Sequence, residues 1–250
     1  MEYELQISLA CDIGCFRTIN EDMILISGEK YRNSSDDFST VIQNNGRFVA
    51  AVADGMGGHN AGEIASEMAL NHFDDFIVNL SGNLIDNDFR FKLDNEIKEI
   101  HRVLTKHGYA NSACNGMGTT LVSLLTYENR IYLVNAGDSR AYRMRNGILY
   151  QLTTDHSVQN KNNDYTLSSN MIYNCLGGGG DSAFADVTEL TGKVFENDMF
   201  LLCSDGLYDE LSEEEIEAHL RKFSSASSLV NAAKAKGGHD NISAIVITIK

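Results

Sequence analysis

The chain has 250 residues, 35 acidic against 20 basic side chains, and a formal net charge of −15. That balance excludes a general nucleic-acid binder, since no lysine or arginine cluster offsets the repulsion from phosphates. With 43% hydrophobic and 22% charged residues, the composition is that of a globular protein able to build one large core, and no apolar run approaches the roughly 20 residues of a membrane helix.

The N-terminus MEYELQISLA lacks a basic segment leading into an apolar one, so no secretory signal is expected. Residues 3–10 alternate weakly and predict a first strand leading into the turn at Gly14. Residues 23–28 and 47–53 predict two more strands, separated by the polar segment KYRNSSDDFST. After the glycines of DGMGGHNAGE, Ile64, Met68, Phe73, Phe76, Ile77 and Leu80 recur at helical spacing. A second helix is expected over 88–107, with Phe91, Ile97, Ile100 and Leu104 on its buried side.

From 117 to 152 the chain turns to short β runs, with Asn146-Gly147 as a hairpin signal. Residues 155–183 are polar and rich in asparagine and glycine, and read as an irregular flap in which Gly177–Gly180 forms a flexible hinge. Strands are expected at 184–190 and 198–203. Ser212 and Glu215 make a capping box for a helix over 213–222, and a last helix covers 226–236. The final strand, 242–249, is apolar on both faces, as in a sheet covered on both sides. No repeat or linker interrupts this pattern, which predicts one α+β domain over 1–250.

The acidic residues carry the chemistry. Asp54 and Asp205 close strand-like runs, Glu21-Asp22 and Asp240 open others, and Asp138 sits between two. In antiparallel sheets these positions meet at one end. Carboxylates crowded together are costly unless cations neutralise them, and hard oxygen ligands suit Mg²⁺ or Mn²⁺. A lone Asp-Gly after a strand is ordinarily a turn; the ordered combination is what points to a site. The five cysteines (Cys11, Cys15, Cys114, Cys175, Cys203) show neither a C-x-x-C pair nor zinc spacing, and fit a reduced, cytoplasmic compartment. None of the cysteines is expected to sit in a phosphate-cradling loop, and no nucleotide P-loop is present.

The segments Arg17-Thr-Ile-Asn-Glu21-Asp22, Asp54-Gly-Met-Gly-Gly58, Gly118-Thr-Thr120, Asn135-Ala-Gly-Asp-Ser-Arg140, Ser204-Asp-Gly206 and Asp240-Asn241 resemble, in this order, the metal-dependent protein phosphatases (PPM, or type 2C), and DGMGGH at 54–59 resembles the bacterial branch. The resemblance implies a central antiparallel β-sandwich flanked by helices on both sides, in four α/β/β/α layers, with a short flap subdomain. It implies a serine/threonine phosphatase with two core Mn²⁺ or Mg²⁺ ions and a third, weaker one. Carried over, Asp54 would bridge the two ions and the Gly55 carbonyl would bind the first. Glu21, Asp205 and Asp240 would complete the second site, with Asp22 behind them, and Asp138 would hold the third ion. Arg17 would grip the substrate phosphate, as a guanidinium fork suits. In this picture a hydroxide shared by the two ions attacks phosphorus in line.

Three features depart from the family pattern. Met56 stands where many eukaryotic members carry a histidine proposed as general acid, with His59 three residues on. The flap keeps Asn170 and Leu176-Gly177 but has Ser169 and Asn174 where basic residues are usual, and it is bordered by the four glycines. These departures motivate an alternative, a catalytically weak relative that binds phosphoproteins, while a third reading is a hydrolase of small phosphorylated metabolites. The expected partners are phosphorylated proteins and a serine/threonine kinase, with neither nucleic acid nor membrane, and the chain is expected to be a monomer. Arg140 is expected in a structural ion pair, and His72, His101, His107 and His219 in core or surface roles.

Overall fold

The computed structural model describes residues 2–57, 61–163 and 171–250. Within them, one six-stranded sheet is built from β1 (Tyr3–Asp12), β4 (Ser34–Ile42), β10 (Arg140–Arg145), β11 (Ile148–Gln151), β14 (Met199–Cys203) and β15 (Ile242–Ile249), in the order β11-β10-β14-β15-β1-β4. The second is built from β2 (Met23–Ile26), β3 (Glu29–Tyr31), β5 (Phe48–Ala53), β8 (Leu121–Tyr127), β9 (Arg130–Ala136) and β13 (Asp186–Glu189), in the order β13-β9-β8-β5-β2-β3. A short ribbon of β6 (Gly55–Met56), β7 (Gly118–Thr119) and β12 (Leu176–Gly177) completes the strands. The pairings are antiparallel throughout.

The two large sheets face each other across a core that includes Ile7, Leu9, Ile24, Val52, Val122, Phe200, Ile245 and Ile247. Helices α1 (Gly62–Asn79) and α2 (Asp86–Ala110) cover the outer face of the second sheet through Phe73, Ile77, Phe89, Leu93 and Ile97. Helices α5 (Glu213–Phe223) and α6 (Ala226–Lys236) cover the first through Ile216, Leu220, Leu229 and Val230. The remaining helices are short: α3 (Val158–Asn162) lies in the flap and α4 (Asp205–Tyr208) follows β14. The result is the expected α/β/β/α sandwich. β15 shows why its sequence is apolar throughout, since Ile245 and Ile247 face the inner core while Ala244 and Val246 face the helices. Fully burying each such branched side chain contributes about 1.5–3 kcal/mol.

Strand register gathers the acidic turns. Met23 pairs with Ala53, so Glu21-Asp22 before β2 lies beside Asp54 after β5. Cys203 pairs with both Arg140 and Ala244, so Asp205 after β14 lies between Asp138 and Asp240.

Three expectations are corrected. The polar segment after residue 29 is not a connection: it forms β3 and β4, and β4 is a sheet edge whose SSDDFST run is mostly exposed, with Phe38 packing against the core. Phe91 is 67% exposed, and the buried row of α2 runs through Phe89, Leu93, Ile97, Ile100 and Leu104 instead. The flap also contains α3 and the pairing of β12 with β7. The capping box of α5 is present, and Asn146 and Gly147 take φ of 53° and 76°, as a tight hairpin turn requires.

Candidate metal centre

Asp54 occupies the turn from β5 into β6, and its backbone is fastened on both sides. Its N–H donates to Thr120 Oγ1 (3.0 Å), while its carbonyl accepts from the Thr120 N–H and the Thr119 hydroxyl, both at 2.9 Å. Thr120 Oγ1 also lies 2.6 Å from Ser139 Oγ, so one hydroxyl ties the Asp54 turn to the turn bearing Asp138. A Cβ on Gly137 would sit 2.7 Å from Thr120 Cβ, which makes glycine the residue that lets these turns meet.

Glu21 is held from three directions. Its N–H donates to Asn241 Oδ1 (2.8 Å), its carbonyl accepts from Ser66 Oγ (2.6 Å), and its Oε1 accepts from the Gly62 N–H (3.1 Å) at the start of α1. A carboxylate is favoured at that helix end. Gly55 is packed against the same point, where a Cβ would come within 2.1 Å of the Gly62 carbonyl oxygen. Asn241 donates from Nδ2 to the carbonyls of Ile13 and Ile19, both at 3.0 Å, and so fastens the Arg17 loop beside Asp240. Arg17 Nη2 donates to Asp240 Oδ2 at 2.6 Å, with its side chain half exposed.

Electrostatics single this cluster out. Burial pushes the Asp22 carboxyl up to about 7, and Asp205 and Asp240 push the same way, although Ser204 Oγ donates to Asp22 Oδ2 at 2.7 Å. Burial likewise raises Asp138 to about 7, with Asp205 its next cause, and Asp205 to about 6, with Asp240 next. Asp54 is held well above the usual carboxylate range by burial first, then by Asp205, Asp22, Asp138 and Asp240. Burial raises Glu21 as well. Among the described residues, Arg17 on Asp240 is the one ion pair that reaches this cluster.

Buried carboxylates that repel one another and lack protein cations fit hard divalent ions. Among the described residues no three such groups form a ready-made coordination shell. The carboxylates nevertheless act on one another: Asp205 raises both Asp54 and Asp138, and Asp240 raises Asp205. The expected residues Arg17, Glu21, Asp22, Asp54, Gly55, Asp138, Asp205 and Asp240 are thus brought to one end of the sandwich. Met56 follows on β6 and carries no titratable proton. Gly58, His59, Ser169 and Asn170 lie outside the described residues.

Several supporting residues surround the carboxylates. His156 Nδ1 accepts from the Gly137 N–H (3.1 Å) and lies 2.7 Å from Asn174 Nδ2, while its Nε2 faces Asp186 Oδ2 at 3.1 Å. It therefore braces the turn that precedes Asp138. Arg140 makes the expected ion pair, a fork onto Asp155 (Nη2–Oδ2 2.7 Å, Nε–Oδ1 3.0 Å), and stacks 3.6 Å over the Tyr208 ring, whose hydroxyl donates to the Asp138 carbonyl at 3.0 Å. The four glycines are not a loose hinge. Gly177, Gly178 and Gly179 take φ of 76°, 69° and 77°, and His101 clamps the run, its Nδ1 accepting from the Gly177 N–H and its Nε2 meeting the Gly180 carbonyl, both at 3.1 Å.

Comparison with known proteins identifies the family. Residues 30–243 match the model of the protein phosphatase 2C family. The chain is 31% identical over 233 residues to the serine/threonine phosphatase stp of Listeria welshimeri, covering 87% of this chain and 91% of that protein. The structure of the S. agalactiae serine/threonine phosphatase superposes with a TM-score of 0.80 at 28% identity, over 98% of this chain and 100% of that one. The catalytic domain of the serine/threonine protein phosphatase PstP, in complex with two manganese ions, superposes with a TM-score of 0.76 at 28% identity, over 100% of this chain and 99% of that one.

Proposed function

The chain belongs to the protein phosphatase 2C family, and we propose that the ring of carboxylates around Asp54 is its metal centre and that Arg17 receives the substrate phosphate. The protein is a metal-dependent serine/threonine protein phosphatase that works with Mn²⁺ or Mg²⁺. Asp54, the Gly55 carbonyl, Glu21, Asp205 and Asp240 would hold two ions, with Asp22 behind them and Asp138 at a third. The observation that carries this assignment is the grouping of buried Asp22 and Asp138 with partly buried Asp54 and Asp205, their carboxyls raised by desolvation and by one another.

Bound ions supply a nucleophile at neutral pH, by lowering the pKa of water, and offset charge on the phosphoryl oxygens. The chain's own residues do the positioning. The Thr119 and Thr120 hydroxyls fix the Asp54 backbone, and Thr120 with Ser139 sets its distance from Asp138. The Arg17 guanidinium, half exposed on Asp240, is free to turn its fork onto two phosphate oxygens and steady the charge that develops in the transition state.

Residues 1–250 act as one phosphatase domain, with a flap over about 155–183. Its substrates are phosphorylated proteins made by a serine/threonine kinase. The five unpaired cysteines suit a reducing compartment, hence the cytoplasm. The exposed apolar side chains are spread over many elements, as suits a monomer. No described helix is long and apolar enough to cross a membrane.

Titration of metal-free protein with Mn²⁺, read by electron paramagnetic resonance, tests the assignment. Wild type is expected to take up two tightly held ions. Asp54→Asn, which removes the shared ligand, is expected to lose tight binding of both. Unchanged stoichiometry in that variant would contradict the assignment.

A further inference from the structure

Two large apolar side chains stand in solvent on either side of Arg17: Phe16 at 66% exposure and Ile19 at 38%. The loop that carries them is firmly held. The Cys15 N–H donates to the Gly238 carbonyl at 2.7 Å, the Gly14 N–H to Asp12 Oδ1 at 2.9 Å, and Asn241 grips the carbonyls of Ile13 and Ile19. Gly14, at φ +79°, lies so near the Asp240 carbonyl that a Cβ would come within 2.1 Å of its oxygen. Both ends of the loop are therefore fastened to Gly238–Asn241, the segment that delivers Asp240.

The Phe16 ring lies over the His239 imidazole, with centroids 4.8 Å apart and planes 15° from parallel. His239 is itself fixed by Glu210, whose Oε1 lies 2.6 Å from Nδ1 and accepts the backbone N–H at 3.0 Å. One face of the phenyl ring is thus backed by a fixed ring, and the other is open.

We propose that Phe16, with Ile19, forms a specificity platform that receives an aliphatic or aromatic side chain next to the phosphorylated residue of a protein substrate. The proposal rests on the reading of Arg17 as the phosphate-binding group. A polypeptide whose phosphate sits on Arg17 continues away from it at about 3.3–3.6 Å per residue, so its near neighbours pass over the side chains that flank Arg17. An apolar neighbour fits better than a charged one. The other charged groups beside the patch are engaged, Arg17 by the substrate phosphate, Glu210 by the His239 ring and backbone N–H, and Lys234 by Asp12 at 2.8 Å. What remains to offer is apolar area. Covering part of a phenyl ring with a leucine-sized side chain corresponds to a preference of about tenfold.

The test compares two phosphothreonine peptides that differ only in leucine or alanine beside the phosphoresidue, with Mn²⁺-loaded protein. For wild type, kcat/KM is expected to be about tenfold higher on the leucine peptide, with the difference in KM. In Phe16→Ala the ratio falls to about one, Ile19→Ala lowers it partway, and Phe16→Tyr retains it. A ratio near one in wild type, or an unchanged ratio in Phe16→Ala, overturns the platform. Failure of wild type to hydrolyse either peptide overturns the phosphatase site itself and the platform with it.

Discussion

Replacing Asp138 by asparagine should stabilise the metal-free protein at high pH and leave it unchanged at low pH. Asp138 is buried in the turn before β10, and burial, then Asp205, Asp155 and Asp209, raises its carboxyl from 3.8 to about 7. A group raised on folding contributes no penalty while it is protonated in both states. Stability is therefore lost as pH rises from about 4 through about 7, and the full cost is present above that. The span of about three pKa units corresponds to about 4 kcal/mol. Asparagine has nearly the same shape and no charge, so it avoids this cost. For a chain of this size, about 4 kcal/mol amounts to roughly 8–16 °C in Tm. Thermal unfolding in chelator should show Asp138→Asn melting higher than wild type by up to that amount at about pH 8, and by almost nothing at about pH 4. With saturating Mn²⁺ the order should reverse, because the wild-type carboxylate then has a cation to meet. A variant that is destabilised in chelator at high pH, or shifted equally at both pH values, would refute the claim that unneutralised charge shapes this cluster.

Arg17→Ala should lower kcat/KM for phosphopeptides by roughly 10–100-fold, and Arg17→Lys should recover only part of that, because lysine lacks the planar fork; steady-state kinetics decide it. Thr120→Val leaves the Asp54 N–H without its hydroxyl acceptor and should cost about 1–3 kcal/mol in urea unfolding, with weaker Mn²⁺ binding as a second readout. Asp155→Asn strips the partner from a largely buried Arg140 and should cost about 3 kcal/mol, whereas the double variant with Arg140→Met should recover much of it.

The sequence carried the site more clearly than its surroundings. Glu21, Asp54, Asp138, Asp205 and Asp240 stand where strands begin or end, so strand polarity alone predicts that they meet, and the register of Met23 with Ala53 and of Cys203 with Ala244 brings them together. The helices were legible from 3.6-residue periodicity, yet Phe91 misled because α2 carries an apolar residue on its outer face as well as its inner one. β4 was hidden because an edge strand with solvent on one side has a polar sequence. His101, His156 and Asn241 act by hydrogen bonds to backbone atoms of distant segments, at sequence separations of 76, 19 and 228 residues. No local pattern encodes such contacts. The glycine run read as a hinge for the same reason, since its clamp comes from α2.

Release of phosphate from a phosphothreonine peptide, with and without Mn²⁺, by wild type, Asp54→Asn and Asp205→Asn tests the two-ion phosphatase site most directly. Wild type is expected to turn over in an Mn²⁺-dependent manner, and both variants are expected to lose that turnover while remaining folded. Turnover that persists in chelator, or that survives in either folded variant, would contradict the two-ion site.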